Sequence, residues 1–229
     1  MLAFKMVDNF ITTSLPEHDF TIVYARRGGR ALDNGPDRSG WVDRIAFFID
    51  GGYLGKALKN RFGSPRLDYA KLAQWMAQKV DPTGTILRVY YYDCLPYRSD
   101  AVTDEESRRH VDKRSFLNKL NRLDNFEVRE GKLAFRGHDE NGEPVFEQKR
   151  VDVQLAVDLV TLALRHATGK IGLLTADSDF VPAIQVSKDV GVEVVLFYVA
   201  GIGNLEELLN AADRRVEITR QDIDSFRRY

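Results

Sequence analysis

Arg44-Ile45-Ala46-Phe47-Phe48-Ile49-Asp50-Gly51-Gly52 is the stretch that decides the fold. Five apolar residues run without polar alternation and stop at an acid and two glycines. A strand with one wet face alternates, whereas a strand covered on both faces does not. The same pattern returns at Ile171–Leu174, followed by Thr175-Ala176-Asp177-Ser178-Asp179. Working outward, helical spacing is read at 53–60, 69–79 and 180–189, and further strands at 86–92 and 192–199. A helix at 205–212, a strand at 216–219 and a short helix at 222–227 close the chain. Strand–helix alternation with buried strands predicts an α/β fold, a mostly parallel sheet with helices on both faces.

Two segments depart from this rhythm. Residues 103–123 read as one long amphipathic helix with Val111, Phe116, Leu117, Leu120 and Leu123 as its apolar stripe. Phe126–Arg129, Lys132–Phe135 and Val145–Lys149 read as small strands around Gly131 and the turn Asp139-Glu140-Asn141-Gly142, a hairpin-like flap inserted in the domain. Residues 153–166 are nearly all apolar and predict a buried helix. Residues 1–40 are rich in breakers and charge (Arg26-Arg27-Gly28-Gly29-Arg30, Asn34-Gly35-Pro36-Asp37) and read as an extension or mobile arm, with a short strand at 20–24. The domain proper is expected over 41–229.

Composition narrows the chemistry. The chain has 229 residues, 44% hydrophobic and 29% charged, with a net charge of −1. No apolar run of about 18 residues exists, so no membrane span is expected. Lys5 and Asp8 interrupt the apolar start, so a secretory signal is not expected either, and a cytoplasmic location follows. Cys94 is the single cysteine, and His18, His110, His138 and His166 are scattered without ligand spacing. Any metal must therefore be held by oxygen, which favours Mg²⁺ or Mn²⁺ over zinc.

The acids supply that oxygen. Asp50 and Asp177 follow two buried strands, and ligands of open parallel sheets bind beyond the carboxyl ends of the strands. Asp179 comes two residues later. Asp158 is the odd residue among Ala156, Val157, Leu159 and Val160, on a polar stripe with Gln154, Thr161 and Arg165. Asp152 lies six residues before Asp158, about 600° and about 9 Å along a helix, so the two do not share a line. Asp152 reads as the helix N-cap, with metal contact equally open. The expected metal set is Asp50, Asp152, Asp158, Asp177 and Asp179. Such a site suits metal-assisted hydrolysis of a phosphodiester.

Substrate contacts are expected from Arg108, Arg109, Lys113 and Arg114 on the long helix and from Lys149 and Arg150 beside Asp152, since a phosphate backbone needs cations. Tyr90, Tyr91, Tyr92, Tyr97 and Phe135 are candidates for base stacking. Apolar residues near the flap could serve a homo-oligomer.

Three pieces together resemble the NYN domain, a PIN-like nuclease family, in its LabA-like branch. They are residues 44–51, residues 149–158 (Lys-Arg-Val-Asp-Val-Gln-Leu-Ala-Val-Asp) and residues 173–182 (Leu-Leu-Thr-Ala-Asp-Ser-Asp-Phe-Val-Pro). The runs 191–194 and 208–213 fit as well. The resemblance implies a Rossmann-like sheet, an acidic Mg²⁺ or Mn²⁺ pocket and ribonuclease activity. Asp50, Asp158 and Asp177 match the PIN-like acids and are the catalytic trio that the resemblance implies, and Asp152 and Asp179 match acids of the NYN motifs. Many members carry Asn where this chain has Tyr53. The competing reading is a regulator that binds RNA or protein on a nuclease-like fold without cutting.

Overall fold

The computed structural model describes residues 3–7, 10–14, 21–25, 43–96, 102–138, 144–149 and 151–228; for the first three segments and for 132–136, 138 and 144–149 only backbone pairing is described. The chain divides into two compact units, Met1–Asp37 and Arg38–Tyr229. The first contains strands β1 (Ala3–Val7), β2 (Phe10–Ser14) and β3 (Thr21–Ala25), an antiparallel meander in the order β1-β2-β3. The sequence reading had only the third of these. The basic Arg26–Arg30 stretch and Asn34–Asp37 lie outside the described residues.

The second unit carries strands β4 (Arg44–Asp50), β5 (Thr85–Cys94), β6 (Phe126–His138), β7 (Pro144–Lys149), β8 (Lys170–Leu174), β9 (Glu193–Tyr198) and β10 (Arg214–Glu217). They form one sheet in the order β10-β9-β8-β4-β5-β6-β7. The pairings are parallel throughout except β6–β7. Its helices are α1 (Gly51–Phe62), α2 (Tyr69–Val80), α3 (Asp104–Leu120), α4 (Val151–Leu164), α5 (Val181–Asp189), α6 (Glu206–Ala211) and α7 (Arg220–Ser225).

Period-2 alternation along β4 sorts the helices onto two faces. Ile45, Phe47 and Ile49 pack with residues of α1, α2, α3 and α7. Ala46 and Phe48 pack with residues of α4, α5 and α6. All five are fully buried, which is why the run shows no polar alternation. The chain leaves β4 through α1 and α2 on one face and returns to β8, on the other side of β4, through α4 on the opposite face. The crevice between the carboxyl ends of β4 and β8 is thus the topological switch point, where open α/β sheets bind ligands.

Three local readings change. The two short strands expected at 126–135 are one strand: the first half of β6 pairs parallel with β5 and the second half antiparallel with β7, so the flap extends the sheet edge. Its turn, 139–143, lies outside the described residues. α3 begins after a capping box, in which the Thr103 side chain accepts from Glu106 N–H and the Glu106 side chain accepts from Thr103 N–H; Val111, placed on its apolar stripe, is 62% exposed. α4 is not a buried helix: Leu155, Leu159 and Ala163 face the sheet, but Val153, Val157 and Leu164 are 69%, 56% and 55% exposed. Apolar residues on every side of a helix do not reveal which side is covered. Among the described residues no helix is long and apolar enough to cross a membrane.

Candidate metal centre

Asp50 ends β4 and caps α1. Its Oδ1 accepts from the Tyr53 N–H at 2.9 Å, and its Oδ2 accepts from the Thr175 hydroxyl at 3.2 Å. Thr175 is fully buried at the end of β8, and its hydroxyl oxygen also accepts from the Asp177 N–H at 3.2 Å. One hydroxyl therefore ties the ends of both central strands together. Asp177 in turn caps the 3-10 turn Ser178–Phe180, its Oδ1 accepting from the Asp179 N–H at 3.0 Å. The capping and functional readings of Asp177 are compatible, because the cap uses one carboxylate oxygen.

Asp152 lies inside the first turn of α4 and not at its N-cap. Burial, with Asp177 and Asp179 as neighbouring negative charges, raises its pKa above the usual carboxylate range. Burial likewise raises Asp50, opposed by the bonds from Tyr53 and Thr175 and reinforced by Asp152 and Asp93. Asp50, Asp152, Asp177 and Asp179 thus form one electrostatically coupled group with Asp152 at its centre. Among the described residues no Lys, Arg or His is ion-paired with any of the four. Neighbouring carboxylates without a side-chain cation, two of them partly desolvated, suit a hard divalent ion held through oxygen. As placed, no three or more Asp, Glu, His or Cys side chains among the described residues stand close enough to hold one ion.

Asp158 does not join this group. It accepts from the Tyr92 hydroxyl at 2.9 Å and from Arg129 Nε at 3.2 Å, on the β5–β6 side of α4. Six helical residues separate it from Asp152, which turns the two carboxylates to different sides of α4.

Asp93, at the carboxyl end of β5, was not singled out in the sequence. It is 5% exposed, accepts from the Cys94 N–H at 2.7 Å and forms an ion pair with Lys113 of α3. The signal was present, since Asp93 closes an apolar strand as Asp50 does, but its cation lies twenty residues on. Asp93 also explains Gly51. A Cβ there would stand 2.7 Å from Asp93 Oδ2 and 2.7 Å from the Tyr91 ring. Gly51→Ala, otherwise favourable in a helix, is expected to destabilise the protein by about 1–3 kcal/mol. Thermal unfolding checks this, and a melting temperature at or above wild type would refute the tight fit.

The other expected contacts are distributed as follows. Lys113 is engaged by Asp93, and Arg114 Nη1 makes bonds of 2.7 and 2.8 Å to both oxygens of Glu130. Arg109 pairs loosely with Glu105 at 3.8 Å, and Arg108 is exposed. Arg150 lies outside the described residues, as does the side chain of Lys149. Tyr91 and Tyr92 are core residues, at 2% and 0% exposure, so neither offers a face to a base. Tyr90 is half-buried with Arg129 over its ring at 5.4 Å; Tyr97 and the Phe135 side chain lie outside the described residues. Tyr53 points away from the acids: its hydroxyl accepts from the Val199 N–H at 2.8 Å, and burial pushes its pKa up to about 12.

Comparison with known proteins agrees with this architecture. A solved structure of a protein of unknown function from Vibrio parahaemolyticus is similar over 79% of this chain and 96% of that one, with a TM-score of 0.54 and 17% identity, a likeness of fold. Curated proteins give no match. Residues 44–219 match the NYN domain, whose fold is nuclease-like, and the match spans most of the chain: the protein belongs to the NYN domain family.

Proposed function

We propose that the 41–229 domain is a metal-dependent ribonuclease that hydrolyses phosphodiester bonds at the Asp50–Asp152–Asp177–Asp179 group. The observation that carries this reading is the coupling of the acids: four carboxylates at the switch point, two of them with raised pKa, have no side-chain cation among the described residues. Family membership supports RNA as the substrate class. Mg²⁺ or Mn²⁺ would supply Lewis acidity there, activating a water and neutralising charge on the leaving oxygen. Thr175 holds the Asp50 carboxylate and the backbone of Asp177, and Asp152 and Asp179 would complete an all-oxygen donor set on closing around the ion.

Asp158 takes a structural role in this account. Asp158→Asn is expected to keep cleavage within about tenfold of wild type while losing about 1–3 kcal/mol of stability, because a charge-assisted bond from Arg129 is weakened. Loss of cleavage comparable to an Asp152 variant, at unchanged stability, would return Asp158 to the catalytic set.

Incubation of ribo and 2′-deoxy versions of one labelled oligonucleotide with Mn²⁺ tests the substrate class. Cleavage confined to the ribo strand is expected; equal cleavage of both would make the protein a general nuclease. The second reading, a regulator that binds without cutting, is favoured by the separation of the acids as placed. It predicts RNA binding with no cleavage in any metal.

A further inference from the structure

A cleft of about 620 Å³ lies beside α3, bounded by the segment before α2, by α3 itself and by the end of the chain. Arg66, Lys119 and Arg228 reach it from these three places, against one lining acid, Asp112. All three cations are exposed, and among the described residues none is ion-paired. Lys113 and Arg114 on the same helix, by contrast, are taken up by Asp93 and Glu130. The Arg228 N–H donates to the Arg66 carbonyl at 2.7 Å, so the backbone fixes these two arginines side by side. Three cations from separate segments against one lining acid, none ion-paired among the described residues, give this concavity a local positive charge in a chain whose net charge is −1.

The cleft is also joined to the acids. Tyr69 and Phe116 line it, with ring centroids 5.4 Å apart. The Lys113 ammonium lies 5.6 Å over the Phe116 ring while pairing with Asp93. Tyr91 packs edge-on against both rings, its centroid 5.6 Å from that of Tyr69 and 5.9 Å from that of Phe116. Asp93 acts electrostatically on Asp50. A chain of contacts therefore links Asp93, beside the acid group, through Lys113 and Tyr91 to the two rings that line the cleft.

We propose that this cleft is a second nucleic-acid subsite, which holds the phosphate backbone of a single strand away from the bond being cut. The inference rests on the ribonuclease reading for the identity of the strand. Cations and aromatic walls at one groove are the features by which single-stranded nucleic acid is held without sequence readout.

The test uses the full chain and a labelled 12-nucleotide single-stranded RNA in EDTA, over a salt series. The triple variant Arg66→Glu/Lys119→Glu/Arg228→Glu is expected to bind at least about tenfold more weakly, with the salt slope reduced by about two. The neutral variant Arg66→Gln/Lys119→Gln/Arg228→Gln should fall between it and wild type, which keeps the test open if charge reversal perturbs folding. With Mn²⁺, turnover of a tetranucleotide by the neutral variant should stay within about twofold of wild type, since so short a strand does not fill both regions. Unchanged 12-mer affinity and salt slope in both variants would overturn the subsite while leaving the ribonuclease reading intact. Cleft-dependent binding by a wild type that never cleaves would support the subsite and overturn the ribonuclease reading. Binding of poly-glutamate through these cations, with RNA affinity unaltered, would overturn the subsite in favour of an acidic protein partner.

Discussion

Asp152→Asn is expected to lower metal-dependent RNA cleavage by about 10³-fold while making the metal-free protein more stable. The two effects share a cause. Asp152 sits at the centre of the acid group, and its pKa is raised by burial and by Asp177 and Asp179. A carboxyl whose folded pKa exceeds its unfolded value binds more protons folded than unfolded. Its charge therefore costs stability increasingly as pH rises from the ordinary carboxylate range through the raised value, and the cost is complete above it. Asn removes the charge and keeps the shape. At neutral pH the metal-free melting temperature should rise by about 2–4 °C, the change that about 1 kcal/mol makes in a domain of this size. At a pH below the unfolded carboxylate value the gain should vanish. The loss of rate follows from removing a donor that would neutralise the metal and the developing charge, where one such group is worth about 10²–10³-fold or more. Cleavage at the wild-type rate, or a metal-free melting temperature that falls, would contradict the assignment.

The second large effect is stabilisation by the ion itself. A ligand that binds only the native state at a hundredfold excess over its Kd adds about 2.7 kcal/mol, or about 5–10 °C in melting temperature for this size. Mn²⁺ should do this for wild type, and Mg²⁺ similarly where its affinity permits. Asp50→Asn should abolish most of the shift. It remains a suitable test variant because Asn still accepts from the Tyr53 N–H as a helix cap, and the Thr175 hydroxyl can turn to accept from the new amide. An equal shift in wild type and Asp50→Asn would place the ion elsewhere; no shift in either would favour the regulator.

How much of this was legible in the sequence follows from which signals are local. Ile45–Ile49 and Ile171–Leu174 announced themselves because strands covered on both faces have no polar residues to interrupt them. Asp50 and the Thr175–Asp179 stretch were legible for the same reason, as polar groups that stop a buried strand. Asp152 and Asp158 could be separated by helix arithmetic, but the preference for Asp158 as catalytic had no packing behind it. The choice depends on which side of α4 faces β8 and which faces Tyr92 and Arg129, a matter of packing between distant segments. Asp93 was hidden because its partner Lys113 lies on another element and its close neighbour Gly51 on a third. The basic face of α3 was legible only as a whole, for a related reason. Charge counted along a helix does not distinguish cations already paired, such as Arg114 with Glu130, from those left facing an open cleft, such as Lys119.

The small residues of the loops before α5 and α6 complete the centre. A Cβ at Gly203, where φ is +81°, would approach the Ala176 Cβ to 2.6 Å, so this glycine lets the loop after β9 close on the Thr175–Asp177 segment. The arrangement of Thr175 between Asp50 and Asp177 is thereby backed by contacts from a neighbouring strand end. The site is built at the ends of β4, β8 and β9 and the start of α4 together, which explains why no single motif of the sequence contains it.

The most direct measurement is cleavage of a labelled single-stranded RNA by wild type and Asp177→Asn, each with Mn²⁺ and with EDTA, alongside melting curves of both proteins. The account predicts cleavage by wild type with Mn²⁺ alone, and none by the folded Asp177→Asn variant in either condition. Cleavage that survives EDTA or the loss of Asp177, or a folded wild type that never cuts, would contradict it.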